Sequence, residues 1–138
     1  MSIDYRLDAK LDPSALIDLY DSVQWTEYTK DPQRLTAAVA ASLAVLTAYD
    51  GQKLVGLARL VGDGLTIIYL QDILVAPNYQ RRGIGRQLMQ RLLAPFADVR
   101  QQVLMTDNEP GQIAFYESLG FTEIRDLPHP TRVYTKFA

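Results

Sequence analysis

Apolar and polar residues alternate through Ile3–Leu7, the pattern of a half-buried strand. Further on, Leu16, Leu19, Tyr20 and Val23 recur at helical steps, so the spacing predicts an amphipathic helix over 13–24. Asp12-Pro13 precedes it as an N-cap followed by proline at the first helical position. Asp31-Pro32 repeats that signal and opens a second helix reaching about Ser42, with Trp25–Lys30 read as the loop between them.

Three longer apolar stretches follow: Leu43–Tyr49, Leu54–Val61 and Leu65–Val75. Asp50-Gly51 and Gly62-Asp63-Gly64 separate them as tight turns, so the three predict an antiparallel meander, ended by Pro77. Ile84, Leu88, Leu92 and Phe96 then keep a four-residue spacing, which predicts a helix from Gly83. Gln102–Thr106 reads as a short strand, and Pro110 opens a helix that Gly120 closes. "FTEIR" and "RVYTKF" read as two closing strands. The order β-α-α-β-β-β-α-β-α-β-β predicts an α/β (α+β) fold, a mixed and mostly antiparallel sheet with helices on both faces. Its strand–helix–strand passage 65–106 predicts parallel neighbours joined by a right-handed crossover.

Length and composition narrow the class. The chain has 138 residues, 48% of them apolar, which fits a single folded domain over 1–138. It has no cysteine, which excludes disulfides, thiolate metal sites and a cysteine nucleophile. The net charge of −2 gives no general attraction to nucleic acid. No apolar run approaches a membrane span, and the first ten residues lack the apolar core of a secretory signal. The expectation is a cytoplasmic protein, monomer or homodimer, with no metal, nucleic-acid partner or membrane association.

One segment departs from this acidic balance. No acid lies between Asp72 and Asp98, a span that contains Arg81, Arg82, Arg86 and Arg91. Gln80-Arg81-Arg82-Gly83-Ile84-Gly85 follows a strand and opens a helix. The first N–H groups of a helix lack partners within it, and the helix dipole adds positive potential there. Glycines allow close approach to the backbone, and the arginines add full charges, so the turn suits a phosphate or pyrophosphate. It is not a P-loop, for no Lys-Ser/Thr pair follows the glycines, and the dinucleotide fingerprint fails at Leu88. Taken alone, the same glycines also fit a tight strand-to-helix turn with no ligand.

In this context "QRRGIG" after "ILVAPNY" resembles the Q/R-x-x-G-x-G/A motif of the GNAT superfamily of N-acetyltransferases. "IAFYESLGF" (Ile113–Phe121) is similar to that superfamily's closing helix-and-strand segment, and the element order is similar from Ile3 to Phe137. The resemblance implies acetyl-CoA, or another acyl-CoA, as donor and an amine, small-molecule or peptide, as acceptor. It implies that N–H groups of Arg81, Arg82, Gly83, Ile84, Gly85 and Arg86 cradle the pyrophosphate. Ile73, Leu74 and Val75 would pair with the pantetheine arm, where strand 65–75 splays from 102–106 in a V, with a bulge near Ile73–Val75.

The resemblance also assigns chemistry. Tyr116 would donate to the departing thiolate, and an N–H of Val75 or Leu74 would hold the oxyanion. Many relatives carry a glutamate or histidine base at positions equivalent to 69 or 71, where this chain has Tyr69, a candidate for the catalytic set, and Gln71, neither of them a strong base. Asp72 points to the other face unless the bulge turns it. An asparagine expected seven residues before the tyrosine falls on Glu109, with Asn108 one residue earlier as the pantetheine contact. "WTEY", through Trp25, Glu27 and Tyr28, would border the acceptor together with Gln71 and Asp72. The implied function is acetyl transfer to a primary amine by direct attack. The alternative is a catalytically silent acyl-CoA sensor on the same fold. His129, between two prolines, receives no role.

Overall fold

The structure, a computed structural model, describes residues 2–138, so that Met1, the first residue of the expected domain, lies outside it. The chain forms two compact units, the first ending at Leu104 and the second Met105–Ala138.

The first unit is a five-stranded sheet in the order β1-β2-β3-β4-β5. Its strands are β1 Ile3–Leu7, β2 Ala44–Asp50, β3 Lys53–Gly62, β4 Ile67–Val75 and β5 Gln101–Leu104. β1 to β4 pair antiparallel in sequence order, as the two turn signals require, and β4 pairs parallel with β5. The turn before β4 is closed by Asp63, whose Oδ1 accepts the N–H groups of Leu65, Thr66 and Ile67.

Helices α1 (Pro13–Ser22) and α3 (Pro32–Ala40) begin at the two Asp-Pro signals. Asp12 accepts the Ala15 N–H and Asp31 the Arg34 N–H, so each aspartate satisfies an orphan donor of its helix. The segment expected as a loop contains a single-turn helix, α2 (Thr26–Thr29). No side chain caps it at Trp25, so the sequence carries little sign of it. Helix α4 (Ile84–Leu93) buries Ile84, Leu88, Met89 and Leu92, each worth about 1.5–3 kcal/mol of apolar transfer. Gly56 lets it sit close: a Cβ there would meet Leu88 Cδ1 at 3.2 Å and Ile84 Cγ2 at 3.4 Å.

β4 holds the main departure from regular geometry. Arg59 pairs with Asp72 and Leu60 with Leu70, leaving Gln71 as an extra residue on β4. The bulge therefore lies at Gln71, ahead of the Ile73–Val75 position expected from the sequence. Facing residues of paired strands share a face. Ile73 and Val75, opposite Ala58 and Gly56, accordingly face α4. Asp72 and Leu74, opposite Arg59 and Leu57, face the α1 side. The bulge turns Asp72 onto the face of Tyr69.

In the second unit, α5 (Pro110–Ser118) is capped by Glu109, whose carboxylate accepts the N–H groups of Gly111 and Gln112. Gly120 has φ 94°, as its helix-ending role requires. The two closing strands are absent. Glu123 accepts the Arg125 N–H and starts a 3-10 turn at Ile124–Asp126, so a cap replaces the alternation of "FTEIR". In "RVYTKF", Val133, Tyr134 and Phe137 are exposed. An alternating pattern forms a strand only when a neighbour supplies pairing and burial, and no strand pairs here.

Candidate active site

The site grows from the way β4 outruns its neighbour. Its pairing with β5 ends at Leu70 and Leu104, and Gln71–Val75 continue with no strand on that side. The Ala76 N–H bonds the Val55 carbonyl at 2.8 Å. Because an antiparallel ladder alternates, Leu74 is turned toward β3. The N–H and C=O groups of Ile73 and Val75 are turned to the vacated side. Of the two amides expected to hold an oxyanion, only Val75 points outward, and Ile73 joins it as the first outward amide after the bulge. Gln80 Nε2 donates to the Val75 carbonyl at 2.9 Å and ties the following loop to the strand.

That loop leads into α4. Arg81 has φ 63° and Gly83, the N-cap, has φ 81°. Two left-handed residues so close turn successive amides toward one side. The first backbone bond into the helix runs from Gln87 N–H to the Gly83 carbonyl, 3.1 Å. The amides before Gln87 open the helix. A Cβ built on Gly83 meets no atom within 4 Å, so the space over this turn is open on the protein side. The Arg82 guanidinium lies 5.3 Å from the Tyr79 ring centre, and the Tyr79 hydroxyl donates to Asp50 at 2.6 Å. Arg81 is exposed; Gly85 and Arg86 are half-buried in the first turn of α4. The turn thus joins an open backbone surface to the positive charge of its arginines.

On the α1 side of the bulge lies a polar cluster within apolar surroundings. Asp72, 3% exposed, accepts Arg59 Nε at 2.6 Å and the Tyr20 hydroxyl at 2.8 Å on Oδ2. Its Oδ1 accepts the Tyr28 hydroxyl at 2.8 Å. Gln71 Nε2 donates to the same Tyr28 oxygen at 3.1 Å. Arg59 Nη1 reaches Ser42 Oγ at 3.2 Å. Burial first, and then the Asp72 charge, push the Tyr20 phenol far above its ordinary value. Burial also pushes up Tyr28. Asp72 is thus a carboxylate with its donors already in place, not a free base.

Trp25 stands edge-on to Tyr20 and tilted against Tyr28, with ring centres 5.9 and 6.2 Å apart. The three "WTEY" candidates separate: Trp25 and Tyr28 join the cluster, whereas Glu27 is exposed and pairs with Lys30 at 2.7 Å. Tyr69 is half-buried on the same face. Sequence reasoning missed Arg59 and Tyr20. The signal was present: Arg59 is the one charged residue within the apolar run Leu54–Val61, and an arginine there needs a buried partner.

In the second unit, Tyr116 is buried and its ring stands edge-on to Phe115 and Phe121. Burial pushes its hydroxyl up, opposed by a hydrogen bond with Thr106. Asn108 is exposed. The neighbouring Glu109 carboxylate is occupied in capping α5.

A family model described as "Acetyltransferase (GNAT) domain" matches residues 41–123. An acetyltransferase of the GNAT family from Streptococcus pneumoniae TIGR4 is 32% identical, with a TM-score of 0.84 over 98% of both chains. An "Uncharacterized N-acetyltransferase ycf52-like" of Prochlorococcus marinus is 32% identical over 118 residues, 81% of this chain and 63% of that protein. The chain spans just under two thirds of the length of the curated relatives of this kind. AAC(6')-Iy, solved with the bisubstrate analog CoA-S-monomethyl-acetylneamine, has a TM-score of 0.73 over 100% of both chains at 18% identity, a likeness of fold. Matched by that model through most of its sheet and by the streptococcal protein along nearly its whole length, the chain belongs to the GNAT family of acetyltransferases.

Proposed function

We propose that the protein transfers an acetyl group from acetyl-CoA to a primary amine by direct attack. The observation that carries this reading is the continuity of two features: the outward backbone of Ile73 and Val75 runs through a short loop into the open, arginine-flanked start of α4. An extended pantetheine arm pairs with the first, and the pyrophosphate rests on the second. The bisubstrate complex of the structurally similar AAC(6')-Iy supports the same donor. No helix of the described residues is long and apolar enough to cross a membrane.

In this reading an N–H of Ile73 or Val75 donates to the thioester oxygen as negative charge grows on it. The amine attacks as the neutral base, from the side bordered by Trp25, Tyr28 and Gln71. Tyr116 supplies the hydrogen bond or proton to the departing thiolate. Its phenol is protonated at neutral pH and remains so because burial raises it. Asn108 is retained as the proposed pantetheine contact. Positions 69 and 71 carry neither a carboxylate nor an imidazole, so the amine proton leaves through water.

The test is release of free thiol from acetyl-CoA with a panel of primary amines, beside calorimetric binding of acetyl-CoA. Amine-dependent release supports the reading. Tight binding with no turnover on any amine supports the silent-sensor alternative, and no binding removes both.

A further inference from the structure

We infer that the Tyr28 hydroxyl is the acceptor that seats the attacking amine, and that Asp72 and Gln71 serve to aim it. The inference rests on the acetyl-transfer reading and adds to it an atom and a direction.

The argument is a count of protons and lone pairs. A phenolic oxygen has one proton to give and two lone pairs. Arg59 and Tyr20 both donate to Asp72, which is therefore the carboxylate and only accepts. The Tyr28 proton must then point to Asp72 Oδ1. With that proton committed, Gln71 presents its NH2 group to the Tyr28 oxygen, because two acceptors would repel. One lone pair remains, and its direction is fixed by the other two bonds. It can take only a donor, and an amine N–H is such a donor.

The bulge makes the arrangement possible. In a regular strand neighbouring side chains point to opposite faces. Here the extra residue allows both Gln71 and Asp72 to reach one oxygen on α2. Tyr28 is held from its ring as well, edge-on to Tyr20 with centres 5.3 Å apart. The seat is bonded to Gln71 and Asp72, the two residues that precede Ile73 in the chain, whose amide receives the thioester carbonyl in this reading.

The Asp72 charge is buried and matched by Arg59, so the amine meets the Tyr28 oxygen and not an unpaired carboxylate that would hold it as an ammonium. A neutral amine can donate one N–H to that oxygen and keep its lone pair for the carbonyl. A bulky aromatic wall of Trp25 and Tyr28 stands to one side. Asp72 is a positioning residue in this scheme and does not touch substrate.

The experiment compares wild type, Tyr28→Phe and Gln71→Leu, with the best amine of the panel. Tyr28→Phe keeps the ring and should lower kcat/KM for the amine about 10- to 100-fold, the size of one hydrogen bond to the reacting group. Acetyl-CoA affinity, read by calorimetry, should stay at the wild-type level, since Tyr28 is given no contact with the donor. Gln71→Leu leaves the hydroxyl but loosens its aim, and should give a smaller fall of roughly 3- to 10-fold. A folded Tyr28→Phe with wild-type kcat/KM overturns the inference and leaves the acetyl-transfer reading standing, as does a change confined to thermal stability. If Tyr28→Phe does not fold, the exposed Gln71 decides: unchanged kcat/KM in Gln71→Leu overturns it. A wild type that binds acetyl-CoA but serves no amine overturns the seat, and one that does not bind acetyl-CoA overturns both.

Discussion

Arg59 Nε lies 2.6 Å from Asp72 Oδ2, and the two side chains are 6% and 3% exposed. They face each other across β3 and β4 at the residue pair that precedes the register change. Removing one charge from such a buried pair leaves the other uncompensated. Asp72→Ala should therefore destabilise the fold by about 3–5 kcal/mol, read as a shift in the urea midpoint. The double replacement Arg59→Met with Asp72→Leu should recover much of that loss while abolishing the Tyr28 bond. A single mutant as stable as the double would show that the pair is hydrated.

Gly83 separates backbone strain from ligand exclusion. Its φ of 81° makes any side chain costly by about 1–2 kcal/mol, although a Cβ would meet no protein atom within 4 Å. Gly83→Ala should thus lower stability modestly and still fold. It should also weaken acetyl-CoA binding tenfold or more, because the Cβ occupies the space given to the pyrophosphate. Calorimetry with unchanged affinity in the folded variant would remove the phosphate role of this turn.

Tyr116 can be tested by a change of one oxygen. Tyr116→Phe retains the ring contacts with Phe115 and Phe121. If the hydroxyl assists the thiolate, kcat should fall about 10²–10⁴-fold, with acetyl-CoA binding preserved. Where amine attack limits turnover the fall is smaller, so the comparison should be made with a fast acceptor. Equal kcat under chemistry-limited conditions takes Tyr116 out of the mechanism.

Acid should loosen the start of β4. The Thr66 hydroxyl, foremost, and the N–H groups of Leu65, Ile67 and Thr66 hold the Asp63 carboxyl well below the usual carboxylate range. A depressed folded value means that Asp63 contributes stability above its unfolded value of about 4 and loses it as pH falls. The midpoint of thermal unfolding should drop below about pH 4 in wild type, and less steeply in Asp63→Asn. Parallel curves for the two would remove Asp63 as a contributor.

The periodicities of the sequence were sufficient for most of this fold because they are local. Asp12-Pro13 and Asp31-Pro32 announce α1 and α3 by the bonds they go on to make. Ile84, Leu88 and Leu92 announce α4 by the face it buries. The single turn of α2 has no comparable signal, since Trp25 provides no cap bond. The closing strands failed for the opposite reason: "RVYTKF" has the alternation but no pairing partner. The glycine turn was readable because backbone conformation and charge lie within a few residues. The polar cluster was not, because it depends on how many residues of β4 face Arg59 and Leu60, a matter decided between strands.

The extra residue at Gln71 divides β4 into two half-strands that are out of phase. Even-numbered positions Ile68 and Leu70 share the α4 face with odd-numbered Ile73 and Val75. Reading frame along the strand is thus a functional quantity. Loss of the residue at 71 would leave Leu70 and Asp72 on the faces they now hold, since each keeps its partner on β3, but it would remove the side chain that steadies Tyr28. Away from the bulge, the gain or loss of one residue shifts a half-strand by a step and sends its apolar side chains to the opposite face. A distant sequence one residue shorter at this place can therefore keep its acid beneath the site and forfeit only the glutamine.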